Sequence, residues 1–174
     1  MTDLQLGLFT PDTLGSAPLA HRVRPLELEH FFGQKSVLKR VKNLDFNKLP
    51  HLVFYGPPGC GKTTLAHILA DRAELKLYPF NAVLGGVVDL RKIIKEALDQ
   101  QEISGEKSII FIDEIHRFNK GQQDALLPYL EKGDFVLFGA TTENPNTSLN
   151  KAVLSRVQRW KLDALSSHDI EQLL

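Results

Sequence analysis

The segment Gly56-Pro57-Pro58-Gly59-Cys60-Gly61-Lys62-Thr63 satisfies the pattern G-x-x-x-x-G-K-[ST] at every fixed position. Leu52-Val53-Phe54-Tyr55 precedes it and predicts a buried strand, and Thr64-Leu65-Ala66-His67-Ile68-Leu69-Ala70 follows with helix formers and an apolar face. A strand, a glycine-rich loop and a helix in that order restrict the chain to folds in which a strand delivers a loop to a helix N-terminus. The glycines let the backbone curl until its N–H groups point inward, which makes a concave anion site. Lys62 supplies a point charge for the β- and γ-phosphates of a nucleoside triphosphate, and Thr63 a hydroxyl for Mg²⁺. A Gly/Pro-rich turn with an incidental lysine would leave the two flanks without a reason.

A second apolar run, Ser108-Ile109-Ile110-Phe111-Ile112, predicts a strand buried on both faces of a parallel sheet. It ends in Asp113-Glu114, about 50 residues beyond the phosphate loop. An aspartate there can hold Mg²⁺ through its water shell, and the adjacent glutamate can polarise an attacking water. Two acids at a strand end can also cap the next turn; the phosphate loop upstream favours catalysis. Hydrolysis by positioning and charge stabilisation follows, without a covalent intermediate.

With 174 residues, 43% hydrophobic and 24% charged, the chain suits one soluble domain with a full core. Its net charge is zero, so contact with nucleic acid must rest on a local patch. The densest basic stretch, His21 to Lys48, carries seven Lys/Arg against three Asp/Glu, which suits a phosphate track or a solvated surface equally. The single cysteine, Cys60, excludes an internal disulfide and fits a reducing compartment. Loop amides around it would favour a thiolate, but a slot for a small residue is the preferred explanation. The six histidines show no metal-ligand spacing, so no protein-only metal site is expected. No apolar run reaches membrane-spanning length and the start lacks signal-peptide features, so the expected location is the cytoplasm, with no membrane partner.

Residues 1–17 carry little periodicity and read as a flexible tail. Ser36 to Leu44 has helical spacing with Ser36 as its cap. Leu75 to Phe80 alternates as a second strand that Pro79 confines to an edge or an end. Asp89 opens an amphipathic helix through Leu90, Ile93, Ile94, Ala97 and Leu98. Gln122 to Leu127 begins another helix, with Pro128 inside the run. Phe135 to Phe138 is a further buried strand, and a last helix begins at Asp169. Strands alternating with helices indicate βαβ units and a parallel sheet, so the fold class is α/β.

From Pro18 onward the sequence resembles the AAA+ ATPases of the RarA/MgsA family, relatives of clamp-loader subunits. The resemblance rests on Pro18-Leu19-Ala20-x-Arg22-x-Arg24-Pro25, Phe32-Gly33-Gln34, the phosphate loop and Asn81-Ala82-Val83. It continues in Phe111 to Lys120, Gln122 to Pro128, Gly139 to Pro145 and Leu154-Ser155-Arg156. It implies a P-loop ATPase core over residues 18–165, and over 166–174 the start of a helical lid that relatives continue. ATP and Mg²⁺ are the implied cofactors. Gly56, Pro57, Pro58, Gly59, Cys60, Gly61, Lys62, Thr63 and Thr64 would hold the phosphates, with Arg22 and Pro25 at the adenine. Thr63 and Asp113 would serve the metal, and Glu114 the water. Thr142, in preference to Thr141, matches the polar sensor of the γ-phosphate. Arg156 matches the arginine finger that reaches a neighbouring subunit's ATP, which implies a homo-oligomer.

In the tail, Gln5-Leu6-Gly7-Leu8-Phe9 resembles the peptide that bacterial replication proteins insert into the sliding clamp; Gln5 would bond the pocket rim while Leu6, Leu8 and Phe9 fill it. The family picture is an ATPase acting on forked or junction DNA with the clamp, in a nucleoid-associated setting. Two departures stand out: Cys60 replaces the commoner Thr or Ser, and Val88 stands where relatives often carry Lys. Two other readings remain: a nucleotide-binding and clamp-interacting module with little ATPase of its own, or a clamp-loader-like subunit. Against the latter stand Arg117-Phe118-Asn119-Lys120 and Val157, where clamp loaders usually show Cys.

Overall fold

The computed structural model describes residues 27–173. Five parallel strands form one sheet in the order β2-β3-β4-β1-β5. They are β1 (Leu52–Tyr55), β2 (Leu77–Asn81), β3 (Ile109–Asp113), β4 (Val136–Thr141) and β5 (Gln158–Lys161). The helices are α1 (Lys35–Lys42), α2 (Lys62–Arg72), α3 (Val87–Ser104), α4 (Lys120–Asp124), α5 (Leu127–Lys132), α6 (Pro145–Ser148), α7 (Lys151–Leu154) and α8 (Ser167–Leu173).

Successive side chains of a strand point to opposite faces, so a central parallel strand must be apolar at every position. β1, and β3 up to its closing Asp113, obey this: Ile109, Phe111, Leu52 and Phe54 enter one core, while Ile110, Ile112 and Val53 enter the other. Val37 and Val41 of α1 and Leu65, Ile68 and Leu69 of α2 close the first core. Leu90, Ile94 and Ala97 of α3, Leu130 of α5 and Val153 of α7 close the second. The result is a three-layer α/β sandwich. Edge-to-face rings tie the sheet laterally, with Phe54 centred 5.5 Å from Phe138 and 6.1 Å from Trp160.

Several local expectations shift. α1 starts at Lys35, and its N-cap position belongs to Gln34, not Ser36. α3 starts at Val87 with Asp89 in the third position, where Oδ2 accepts the Gly86 N–H at 3.2 Å. A side chain reaching back to cap the first turn from inside looks, in sequence, like the start itself. Pro128 does not kink one helix but falls in the first turn of α5, where a missing N–H is harmless. Likewise the last helix opens at Ser167, with Ser166 and Asp169 bonding each other across its first turn. β2 is an edge strand pairing only with β3, as Pro79 requires.

The connections place the chemistry. β4 lies between β1 and β3, so the segments leaving the carboxyl ends of these three strands are neighbours. In open α/β sheets that rim is where ligands bind.

Candidate functional site

The phosphate loop leaves β1 and enters α2. Gly56 has φ +155, and a Cβ there would lie 2.1 Å from the carbonyl oxygen of Leu162. Gly61 has φ +98, and its Cβ would strike the Phe31 ring at 2.7 Å. Both positions therefore require glycine, for approach as much as for conformation. Pro57, Pro58 and Gly59 form the exposed tip, while Cys60 and Lys62 turn inward. The Lys62 ammonium is buried and donates to the carbonyls of Gly56 and Pro57, both at 2.8 Å. Burial pushes the Cys60 thiol up against the opposing pull of Lys62, so the thiol form prevails over the thiolate that its amides suggested. Thr63 and Thr64 are half-buried in the first turn of α2, whose leading N–H groups have no intrahelical acceptor.

Asp113 closes β3, half-buried, and its Oδ1 accepts the N–H of Glu114 at 3.1 Å. Glu114 adopts the left-handed conformation, φ 53 and ψ 41. A side chain with a Cβ is strained there, and such strain gathers at functional turns. Thr63 and Asp113 supply a hydroxyl and a carboxylate, the hard oxygen ligands that Mg²⁺ takes beside phosphate and water.

On β4, the side chain of Thr141 is fully buried, and its Oγ1 accepts the Glu143 N–H at 3.0 Å and lies 2.9 Å from His116 Nδ1. Thr142 follows it, exposed on the carboxyl rim. One hydroxyl is committed to the protein and the other is available, which supports the choice of Thr142. Arg156 stands elsewhere. It precedes β5, whereas the phosphate loop follows β1, and the two strands run parallel. A four-residue strand at ~3.3 Å per residue therefore separates the two ends by about 13 Å along the sheet. Its guanidinium donates to Glu131, to Ser155 Oγ and to the Ala152 carbonyl. Arg22 and Pro25, and the peptide Gln5, Leu6, Leu8 and Phe9, lie outside the described residues.

Two residues not singled out individually join the site. Gln34, 1% exposed, donates to the carbonyls of Cys60 (3.3 Å) and Asp163 (2.7 Å) and accepts the Asp163 N–H (3.0 Å). It ties the phosphate loop to the segment after β5. His116 lies beside Glu114, with Nδ1 3.2 Å from Oε2. A polar residue directly after Phe32-Gly33, and a histidine two residues after the acid pair, were the available signals.

Residues 52–162 match the family described as ATPase family associated with various cellular activities (AAA). The chain is 47% identical over 162 residues to ATPase WRNIP1 of Dictyostelium discoideum, covering 91% of this chain and 18% of that protein. It is 45% identical over its full length to replication-associated recombination protein A of Escherichia coli K12, and spans 39% of it. The Haemophilus influenzae protein of the same name is 44% identical over 161 residues, covering 90% of this chain and 36% of that protein. Among solved structures, the RuvB Holliday junction branch migration motor of Thermotoga maritima superimposes with a TM-score of 0.73 at 31% identity, covering 87% of this chain and 52% of that one. The chain thus spans well under half the length of these curated relatives, and it belongs to the AAA family of ATPases, with its sequence kinship among the replication-associated recombination A proteins.

Proposed function

We propose that this chain binds ATP and hydrolyses it in shared sites between subunits, as the ATPase core of a replication-associated recombination protein acting on DNA. The observation that carries this reading is the meeting of phosphate loop, acid pair and Thr142 on the carboxyl ends of three adjacent strands. Loop amides and Lys62 hold the β- and γ-phosphates. Thr63 and Asp113 would hold Mg²⁺, which when bound would neutralise developing charge on the phosphate oxygens. Glu114 orients a water and takes its proton as the water attacks the γ-phosphorus. Thr142 donates to the γ-phosphate and fixes the line of attack.

Arg156 cannot join from its own chain, because it stands at the amino end of the sheet; a second subunit must bring it to the developing charge. Gln5-Leu6-Gly7-Leu8-Phe9 serves as a tether to the bacterial sliding clamp, and Leu8→Ala with Phe9→Ala should release the clamp at unchanged ATP affinity.

The test is ATP turnover across protein concentration, with and without forked DNA, beside Arg156→Ala, Lys62→Ala and Glu114→Gln. Expected is a specific rate that rises with concentration and with DNA and falls in Arg156→Ala. Lys62→Ala should lose ATP, while Glu114→Gln should retain ATP and lower turnover at least ~100-fold. A flat, near-zero rate despite ATP binding favours the second reading, a nucleotide-binding and clamp module, which the in-cis bonds of Arg156 would suit. Tight ATP binding by Lys62→Ala would refute the loop assignment.

A further inference from the structure

His116 is a side chain that the site geometry surrounds and the hydrolysis scheme does not use. Its imidazole is 4% exposed. Nδ1 faces Glu114 Oε2 at 3.2 Å and Thr141 Oγ1 at 2.9 Å, and Nε2 faces Glu143 Oε1 at 3.6 Å. These partners come from two adjacent strand ends: Glu114 follows β3, while Thr141 and Glu143 bracket Thr142 at the end of β4.

An ionised carboxylate only accepts hydrogen bonds, so a hydrogen carried on Nδ1 would serve Glu114 Oε2 and the Thr141 hydroxyl oxygen. Thr141 Oγ1 also accepts the Glu143 N–H at 3.0 Å and points its own hydrogen toward the Glu143 carbonyl at 3.5 Å.

From this geometry we infer that His116 is the positioning residue of the reaction, locking the Glu114 carboxylate to the strand end that carries Thr142. The inference rests on the hydrolysis reading above. Glu114 needs such a lock. Its backbone is left-handed and its side chain is 29% exposed, so three rotatable bonds separate a strained turn from the oxygen that must meet water. Catalytic groups lose on the order of 100-fold when misplaced by an ångström. The imidazole holds one carboxylate oxygen and leaves the other for the water. Because the same imidazole holds Thr141, a shift of the Thr142 segment on the γ-phosphate would be felt at Glu114.

The experiment compares the wild-type chain with His116→Ala, His116→Asn, His116→Gln and Thr141→Val, measuring ATP affinity and turnover at saturating ATP separately. An asparagine amide can reach the place of Nδ1, whereas a glutamine amide reaches that of Nε2. Expected are 10- to 100-fold lower turnover in the alanine and glutamine variants at unchanged ATP affinity, substantial rescue in His116→Asn, and a loss in Thr141→Val that does not multiply with His116→Ala. Equal rates throughout, or rate losses tracking lost affinity and lowered melting temperature in all three His116 variants, would overturn the inference. A second arm needs no turnover: ring ¹⁵N spectra should show His116 Nδ1 protonated, with its signal moving in Glu114→Gln and in Thr141→Val. If the wild-type chain fails to hydrolyse ATP, the functional reading fails and this arm decides the contact; an Nδ1 signal blind to both substitutions refutes it.

Discussion

Glu114 and Glu74 adopt nearly the same backbone conformation, φ 53 and φ 56, and are the two non-glycine residues of positive φ among the described residues. They stand on opposite rims of the sheet. Glu74 follows α2 at the amino-end rim and closes it as a Schellman turn: its N–H reaches the Asp71 carbonyl and that of Leu75 reaches Ala70, both at 3.1 Å. Its side chain is exposed. Glu114 stands on the carboxyl-end rim with its carboxylate against a buried imidazole. The same conformation ends a helix in one place and sets a carboxylate beside a buried imidazole in the other. A left-handed residue thus says nothing by itself; what its side chain touches decides the meaning.

The largest effect is expected from the phosphate loop on the carboxyl rim, where the backbone itself is the binding surface. Gly56→Ala places a methyl 2.1 Å from the Leu162 carbonyl, and neither partner is a flexible side chain. A loss of about 3 kcal/mol and of ATP binding is expected, read by chemical unfolding and by nucleotide titration. Near-wild-type binding would mean that the loop and the segment after β5 can separate freely.

Glu114→Gly comes next and bears directly on the pair of glutamates. Glycine relieves the left-handed strain but removes the carboxylate, so turnover should fall at least ~100-fold with ATP affinity kept. Stability should change by no more than about 1 kcal/mol, since relief of strain is offset by the lost contact to His116. Retained turnover would take the comparison apart, because both glutamates would then be mere turn formers.

What the sequence discloses follows the same divide. The phosphate loop and Asp113-Glu114 are legible because their chemistry is local: fixed glycines, a lysine, and acids at a strand end. The setting of His116 is not, because Thr141 and Glu143 reach it only through the pairing of β3 with β4. Gln34 is hidden likewise, since its acceptor at Asp163 lies 129 residues away. β5 escapes notice because Trp160 is its one buried residue among Gln158, Arg159 and Lys161, which leaves a polar string with no alternation to detect. The position of Arg156 relative to its own phosphate loop is again a fact of strand order, unavailable before the sheet is drawn.

His51, on the amino-end rim, gives a smaller and purely structural effect. The Leu137 N–H donates to its Nδ1 at 3.0 Å, and its Nε2 bonds the Leu130 carbonyl at 3.3 Å. This ring must be neutral to accept at Nδ1. Burial holds its pKa below the ordinary histidine value, against the opposing Leu130 bond, and Lys107 adds to the lowering. A depressed base binds fewer protons folded than unfolded. Its contribution is therefore present above pH ~6.5 and lost as pH falls through the folded value. His51→Ala should cost about 1 kcal/mol at neutral pH and flatten the acid-side decline of unfolding midpoint relative to wild type. ATP affinity should stay put; an equal decline in both proteins would remove His51 from the acid response.

Glu74→Gly is the smallest change and the fairest counterpart to Glu114→Gly. At the position after a helix C-cap, the Schellman turn asks for a residue without a Cβ penalty, and glycine is its usual occupant. Replacing Glu74 relieves about 1 kcal/mol of left-handed strain while adding unfolded-chain entropy that opposes it by roughly half that amount. The net gain should be about 0.5 kcal/mol, seen as a raised denaturant midpoint at unchanged slope. ATP affinity and turnover should match wild type, since the exposed side chain touches no part of the phosphate rim. If the substitution instead lowers turnover, strain at the end of α2 is being transmitted along the helix to Lys62 and Thr63 at its start. The two rims would then form one mechanical unit, and the separation of roles drawn between the two glutamates would not hold.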